Sequence, residues 1–98
     1  MKRLSIGIFD SGVGGLTVLK EVKTLLPYEN IIYLGDTARV PYGGRSPQAI
    51  TRYALECALF LLTKGIKILV IACNVSSAYA LPLIKKRFPI PLSLIHIS

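Results

Sequence analysis

The sequence has no tryptophan, a single histidine and only two cysteines. Cys57 and Cys73 make no disulfide framework. With no Cys-x-x-Cys pair and no cluster of histidines, an ordinary zinc site is also excluded. The histidine, His96, stands near the end of the sequence, away from any other candidate ligand. We therefore expect no metal, and a reducing cytoplasm is the expected compartment.

Acidic residues are also few, with five Asp and Glu against twelve Lys and Arg, for a net charge of +7. A basic chain can bind nucleic acid or an acidic membrane surface. Here the basic residues are scattered, apart from Lys85-Lys86-Arg87, and no RNA-binding aromatic pattern accompanies them. That run is typical of the last turn of a helix, where cations complement the macrodipole. Neither nucleic acid nor a membrane is an expected partner.

Long apolar runs are absent, so nothing approaches the roughly 20 residues of a membrane span. The start, Met1-Lys2-Arg3, leads into a short strand and not into a signal peptide. The 98 residues allow one small domain, yet 52% are hydrophobic and only 17% are charged. This richness predicts that part of the surface is covered by something outside the chain.

The first third of the sequence predicts a βαβ unit. Residues 4–9 form a strand that ends at Asp10, and a second strand covers residues 31–34. Between them the apolar positions Leu16, Leu19, Val22 and Leu26 keep helical spacing before Pro27. The two strands are therefore expected to be parallel, with a right-handed crossover.

A glycine-rich turn, residues 11–15, follows Asp10. Gly12 and Gly14 match the start of a dinucleotide fingerprint, but Thr17 takes the third glycine's place and no P-loop lysine follows. The turn and the helix N-terminus suit a small anion such as a carboxylate. Three roles are open for Asp10: a proton acceptor, a partner for an ammonium group, or a cap for the helix.

A long loop, residues 35–45, follows the second strand, and such loops are usually functional or mobile. Pro41 stiffens it, while Gly43 and Gly44 permit unusual backbone angles. Tyr42 either reaches across a site or simply packs.

The next helix has clear boundaries. Ser46 is a good N-cap, Pro47 suits the first helical position, and Gly65 ends the helix. Its buried stripe is predicted to be Ile50, Tyr53, Ala54, Cys57, Ala58, Leu61 and Leu62. Cys57 is thus a core residue.

Residues 68–72 form an apolar run without alternation, which predicts a strand buried on both faces. Cys73 follows at the carboxyl end, where open α/β sheets bind ligands. Asn74, Ser76 and Ser77 offer caps for a helix whose N-terminus would favour a thiolate. The alternative is that Cys73 is simply a buried apolar residue.

A third helix carries Leu81, Ile84 and Phe88, with Pro82 bending or shortening it and Pro89 after it. Residues 90–97 are a candidate fourth strand. The predicted fold is a three-layer α/β sandwich with a mainly parallel sheet of four strands and three helices. The domain covers residues 1–91, and residues 92–98 are an atypical tail, a candidate truncation or frame scar.

Four motifs stand in one order at predicted strand ends: residues 10–16 (DSGVGGL), 33–37 (YLGDT), 41–43 (PYG) and 72–74 (ACN). In these motifs the chain resembles the N-terminal part of glutamate racemases, within the aspartate/glutamate racemase family. The likeness covers about residues 4–91. It implies two similar, pseudo-symmetric α/β domains with the amino acid bound between them.

The resemblance also implies racemisation of glutamate, which supplies D-glutamate for peptidoglycan precursors, with neither pyridoxal phosphate nor metal. Two cysteines on opposite faces of the substrate exchange the Cα proton; Cys73 matches the first, and Asp10 the carboxylate beside it. The positions that match substrate-binding ones are Asp10, Ser11, Pro41, Tyr42, Gly43, Asn74 and Val75. The implied partners are glutamate and a missing C-terminal domain, and homodimerisation is left open.

Two departures accompany the resemblance. Val75 stands where the family usually has threonine, and the second cysteine, its neighbouring histidine and the opposing domain are absent. The 98 residues alone are therefore expected to be inactive. Three alternatives remain: a racemase of aspartate or another small amino acid, a flavodoxin-like nucleotide-binding module, and a fragment without independent function.

Overall fold

The computed structural model describes residues 4–10, 15–39, 44–72, 82–88 and 92–94. Its elements are β1 (Ser5–Asp10), α1 (Gly15–Leu25), β2 (Ile31–Gly35), a 3-10 turn (Thr37–Arg39), α2 (Pro47–Thr63), β3 (Ile66–Ile71) and β4 (Leu92–Leu94). Residues 82–87 are also helical. The predicted order of strands and helices is confirmed over these ranges.

All strand pairs in the sheet are parallel, and the strand order is β2-β1-β3-β4. Ile6 of β1 pairs with Ile31 of β2 on one side and with Ile68 of β3 on the other. The parallel βαβ pairing of β1 and β2 is therefore confirmed. Of the strand predicted over residues 90–97, the structure describes the three residues of β4, which pair with the end of β3.

Helices cover both faces of the sheet, as expected for an α/β sandwich. On one face α1 packs against a cluster formed by Ile6, Ile8, Val18, Val70 and Ala72. On the other face α2 and the helix of residues 82–87 share a larger cluster formed by Phe9, Ala54, Cys57, Ala58, Leu61, Ile66, Leu69, Ile71 and Ile84. Lys85, Lys86 and Arg87 are exposed on that last helix, which confirms that the basic run is a solvated face.

The apolar stripe of α1 differs from the predicted one. Val18 is 6% exposed and Leu19 and Val22 are partly buried, whereas Leu16 is 66% and Leu26 48% exposed. The sheet is reached only by the side chains in the middle of this short helix, and Leu26 lies just beyond its end. Helical spacing thus identified the helix but only part of its buried face.

The boundaries of α2 follow from its sequence. Ser46 has an extended backbone and its hydroxyl accepts a hydrogen bond from the Ala49 N–H at 3.1 Å. Pro47 is the first helical residue, and Gly65 follows the helix with a positive φ of 80°. The predicted buried stripe is confirmed for six residues, Ile50, Tyr53, Ala54, Cys57, Ala58 and Leu61, with Leu62 partly buried.

β1 lies between β2 and β3 and is buried along its whole length. In β3 the last three residues are buried, but Lys67 is exposed and Ile68 partly so. The pairing shifts there: Ser5 pairs with Ile66 and Ile6 with Ile68, so Lys67 is an extra residue. The predicted burial on both faces therefore holds for Leu69–Ile71 and Ala72 but not for the start of the strand.

Candidate active site at the carboxyl edge of the sheet

The strand order creates a switch point between β1 and β3. After β1 the chain adds β2 on one side, and after α2 it adds β3 on the other side of β1. Open α/β sheets bind ligands in the crevice outside the carboxyl ends of two such strands. Asp10 ends β1 and Ala72 directly follows β3, so these two residues mark the candidate site.

Backbone hydrogen bonds fix the strands at this edge. The Ala72 N–H donates to the Phe9 carbonyl at 2.9 Å, and the Asp36 N–H donates to the Asp10 carbonyl at 3.0 Å. Ala72 is fully buried and Cys73 is the next residue in the sequence. The structure therefore brings Asp10 next to the strand that leads into Cys73, as predicted for the carboxyl ends of parallel strands.

The Asp10 side chain is fully buried, and its Oδ1 accepts a hydrogen bond of 2.8 Å from the Tyr33 hydroxyl. Burial, the hydrogen bond to Asp10 and the charge of Asp10 together raise the pKa of Tyr33 to about 12. Tyr33 is therefore a protonated donor at neutral pH, and its hydroxyl fixes the orientation of the carboxyl group.

Gly35, the partner of Asp10 in the β1–β2 register, leaves space for this contact. A Cβ atom on Gly35 would lie 3.0 Å from the Tyr33 hydroxyl oxygen and 3.4 Å from two of its ring carbons. A side chain at position 35 would thus crowd the group that holds Asp10.

The other predicted site residues lie outside the described residues. They are Cys73, Ser11, Pro41, Tyr42, Gly43, Asn74 and Val75. Their roles remain predictions, and the chemistry that the described geometry supports is that of an oriented, buried carboxyl group at the ligand-binding edge.

Cys57 lies on the buried face of α2, in the larger core cluster. Its side chain is 3% exposed, and burial, followed by the neighbouring Asp36 charge, raises the pKa of its thiol to about 12. At neutral pH it is an uncharged thiol. The prediction that Cys57 is a core residue is confirmed.

The structure adds two residues to which the sequence pattern assigned no role. Tyr33 holds Asp10, and Arg39 holds Asp36, its Nε lying 2.9 Å from Asp36 Oδ2. The sequence could have indicated a role for Tyr33, because its hydroxyl is the one polar side-chain group in an otherwise apolar strand. The sequence did not indicate Arg39, because two of its partners, Glu56 and the Tyr53 ring, meet it only when α2 packs on the sheet.

Two further observations concern the described part of the chain. None of its helices is long and apolar enough to cross a membrane. Among the same residues, no group of three His, Cys, Asp or Glu side chains is placed to hold a metal ion.

Comparison with known proteins identifies relatives of the chain, although no protein-family model matches it. The glutamate racemase of Aquifex aeolicus is 57% identical over 89 residues, which are 91% of this chain and 35% of that protein. The glutamate racemase of Geobacter metallireducens is 60% identical over 88 residues, or 90% of this chain and 33% of that protein. The chain is homologous to glutamate racemases. It spans about a third of the length of these racemases.

Solved racemase structures share its fold. Glutamate racemase from Thermus thermophilus, in complex with β-chloro-D-alanine, matches 94% of this chain with a TM-score of 0.89 and 51% identity. The racemase from Francisella tularensis, in complex with D-glutamate, matches 96% with a TM-score of 0.89 and 42% identity. Each match uses 36% of the racemase chain. The recognition of a partial racemase chain from four short motifs is therefore confirmed.

Proposed function

We propose that this chain is part of an enzyme that interconverts L- and D-glutamate without a cofactor or a metal and supplies D-glutamate for peptidoglycan precursors. The observation that carries the proposal is the match, at a TM-score of 0.89 over 96% of the chain, to a racemase that binds D-glutamate. The buried carboxyl group of Asp10 at the switch point supports it, because amino-acid chemistry needs a placed proton acceptor or ammonium partner there.

The proposed reaction is a proton exchange between two thiols and the substrate. The Cys73 thiolate removes the Cα proton and becomes a thiol, which leaves a carbanion. A second cysteine, contributed by the rest of the protein, gives its proton to the opposite face and becomes a thiolate. The helix predicted after Cys73 would stabilise its thiolate through the helix dipole.

Asp10 is proposed to accept or orient a proton beside Cys73. It would not favour the thiolate electrostatically, since two negative charges repel each other. The backbone N–H groups around Ser11 and Asn74 are proposed to stabilise the carboxylate of the carbanion. Pro41, Tyr42, Gly43 and Val75 are proposed to complete the contacts with the substrate.

The rest of the protein is proposed to form a second, similar α/β domain that closes over the substrate. Leu16, in the first turn of α1 at the carboxyl edge of the sheet, supports such a cover because its apolar side chain is 66% exposed. The 98 residues alone are then inactive, since they lack the second cysteine. A homodimer of the complete protein is compatible with this arrangement.

A chimeric enzyme tests the proposal. The segment of the Aquifex aeolicus racemase that matches this chain is exchanged for the 89 matched residues of this chain. Exchange of the Cα proton of L-glutamate for deuterium in D₂O and loss of optical rotation are then measured. We expect the chimera to racemise glutamate, C73S to abolish turnover, and C57A, the matched control in the core, to retain it.

The same chimera separates the alternatives. Turnover that persists in C73S would reject the proposed role of Cys73. Turnover of L-aspartate at a rate equal to that of L-glutamate would reassign the substrate, and a folded chimera that racemises neither would reject the proposed function. Racemisation by the isolated 98-residue chain would disprove the need for a second domain.

A further inference from the structure

We propose that Tyr33 is a positioning residue for this reaction, and that its hydroxyl holds the Asp10 carboxyl group while Gly35 leaves the hydroxyl the space to do so. The inference rests on the proposed function. It adds two residues, Tyr33 and Gly35, that act through Asp10 and need not touch the substrate.

The main chain of Asp10 is fixed independently of Tyr33. Its carbonyl accepts from the Asp36 N–H at 3.0 Å, and the preceding carbonyl, that of Phe9, accepts from the Ala72 N–H at 2.9 Å. These two backbone bonds do not set the rotation of the Asp10 side chain. The hydrogen bond of 2.8 Å from the Tyr33 hydroxyl to Oδ1 contributes to setting that rotation.

The ring of Tyr33 has a separate, structural role. It packs against the cluster of Ile6, Ile8, Val18, Val70 and Ala72 beneath α1. A phenylalanine fills the same space, so Y33F removes the hydroxyl and its hydrogen bond while the packing of the ring is kept. The substitution therefore separates positioning from packing.

Gly35 gives a second, independent way to disturb the same contact. A Cβ at position 35 would lie 3.0 Å from the Tyr33 hydroxyl oxygen, closer than ordinary van der Waals contact, so the hydroxyl would have to shift by a few tenths of an ångström and its bond to Asp10 would be disturbed. Its distances to the ring carbons are 3.4 Å, which a phenylalanine ring tolerates. G35A should therefore be harmful when residue 33 is tyrosine and nearly neutral when it is phenylalanine.

The experiment uses the chimeric racemase with Y33F, G35A and both substitutions together. We expect Y33F to lower kcat about tenfold, from the usual strength of a hydrogen bond to a charged group, while KM changes much less. G35A should lower kcat in the same sense, and the double variant should resemble Y33F alone, since the two changes act on one contact. Y28F is the matched control, because Tyr28 is 86% exposed.

The outcomes separate this inference from the proposed function. If the unsubstituted chimera is active but Y33F keeps its kcat, or if the effects of Y33F and G35A simply multiply, the positioning role is overturned and the racemase proposal stands. A loss of activity in Y33F that is matched by the same loss in Y28F also overturns it. A folded chimera with no activity at all rejects the proposed function, and this inference with it.

Discussion

The guanidinium of Arg39 lies 2.7 Å from the carboxylate of Glu56, and this ion pair joins the turn after β2 to the middle of α2. The same guanidinium lies 2.9 Å from Asp36 and 4.2 Å from the centre of the Tyr53 ring. Arg39 thus connects the residue that follows β2 to the helix behind the sheet, directly beside the strand end that carries Asp10 and its backbone partner Asp36.

Removal of Arg39 should destabilise the protein through several contacts at once. We expect R39A to lower the free energy of unfolding by about 1–2 kcal/mol, because a hydrogen-bonded charge pair with the nearly buried Asp36 and a cation–π contact are both lost. E56Q should cost only about 0.5 kcal/mol, since Glu56 is half exposed. Urea unfolding measures both, with R52A as the control because Arg52 is 68% exposed and 3.8 Å from Glu56. An equal loss in R52A would contradict the prediction.

A second prediction concerns the crowded pairing of β1 and β3 at Gly7. A Cβ on Gly7 would lie 2.9 Å from both Cδ1 and Cγ2 of Ile66. We expect G7A to cost about 1–3 kcal/mol from overpacking. The double variant G7A/I66A should cost less than the sum of the single variants, because removal of those two carbons relieves the clash. Additive losses in thermal or urea unfolding would show that Ile66 is not the obstacle.

The two cysteines should differ in reactivity towards a thiol reagent. Cys57 is 3% exposed with a pKa raised to about 12, so it should stay unmodified in the folded protein at pH 8. The proposed thiolate Cys73 should react quickly. Peptide mapping by mass spectrometry should find Cys73 modified and Cys57 unmodified in the folded chimera, and both modified after denaturation. Rapid modification of Cys57 under native conditions would be evidence against this arrangement.

Alkaline pH should lower the free energy of unfolding through Tyr33 and Cys57, because burial favours the protonated form of each side chain. The pKa values of Tyr33 and Cys57 rise from 10.0 and 9.0 in model compounds to about 12 in the folded protein. The folded state therefore binds these protons more tightly than the unfolded state. Their contribution to stability is complete below pH 9 and is lost as the pH rises towards 12. Urea midpoints between pH 8 and 11 should fall, and the fall should be shallower in Y33F/C57A.

Local features of the sequence specified most of the elements. Ser46, Pro47 and Gly65 determined the ends of α2, because capping groups and a positive φ act within a few residues. The apolar run before Cys73 specified the end of β3 but not its start, since Lys67 is accommodated by a shift in register that depends on β1.

The candidate site could be predicted only in outline. That Asp10 and the end of β3 lie at the same edge of the sheet follows from the parallel pairing of the strands. The switch point exists because β3 pairs with the edge of β1 that β2 leaves open. No local sequence pattern specifies that β3 pairs there. The contact between Tyr33 and Asp10 likewise joins residues 23 positions apart and exists only in the paired sheet.

The position of β1 in the sheet has a consequence for synthesis of the protein on the ribosome. β1 emerges first but pairs with β2 on one edge and with β3, more than 50 residues later in the sequence, on the other. Until Ile71 has left the exit tunnel, the second edge of this strand, which is buried in the folded protein, has no partner from its own chain. Nascent chains halted after residue 45 should therefore bind ribosome-associated chaperones and should aggregate when they are released. Chains extended past β3 should do both far less.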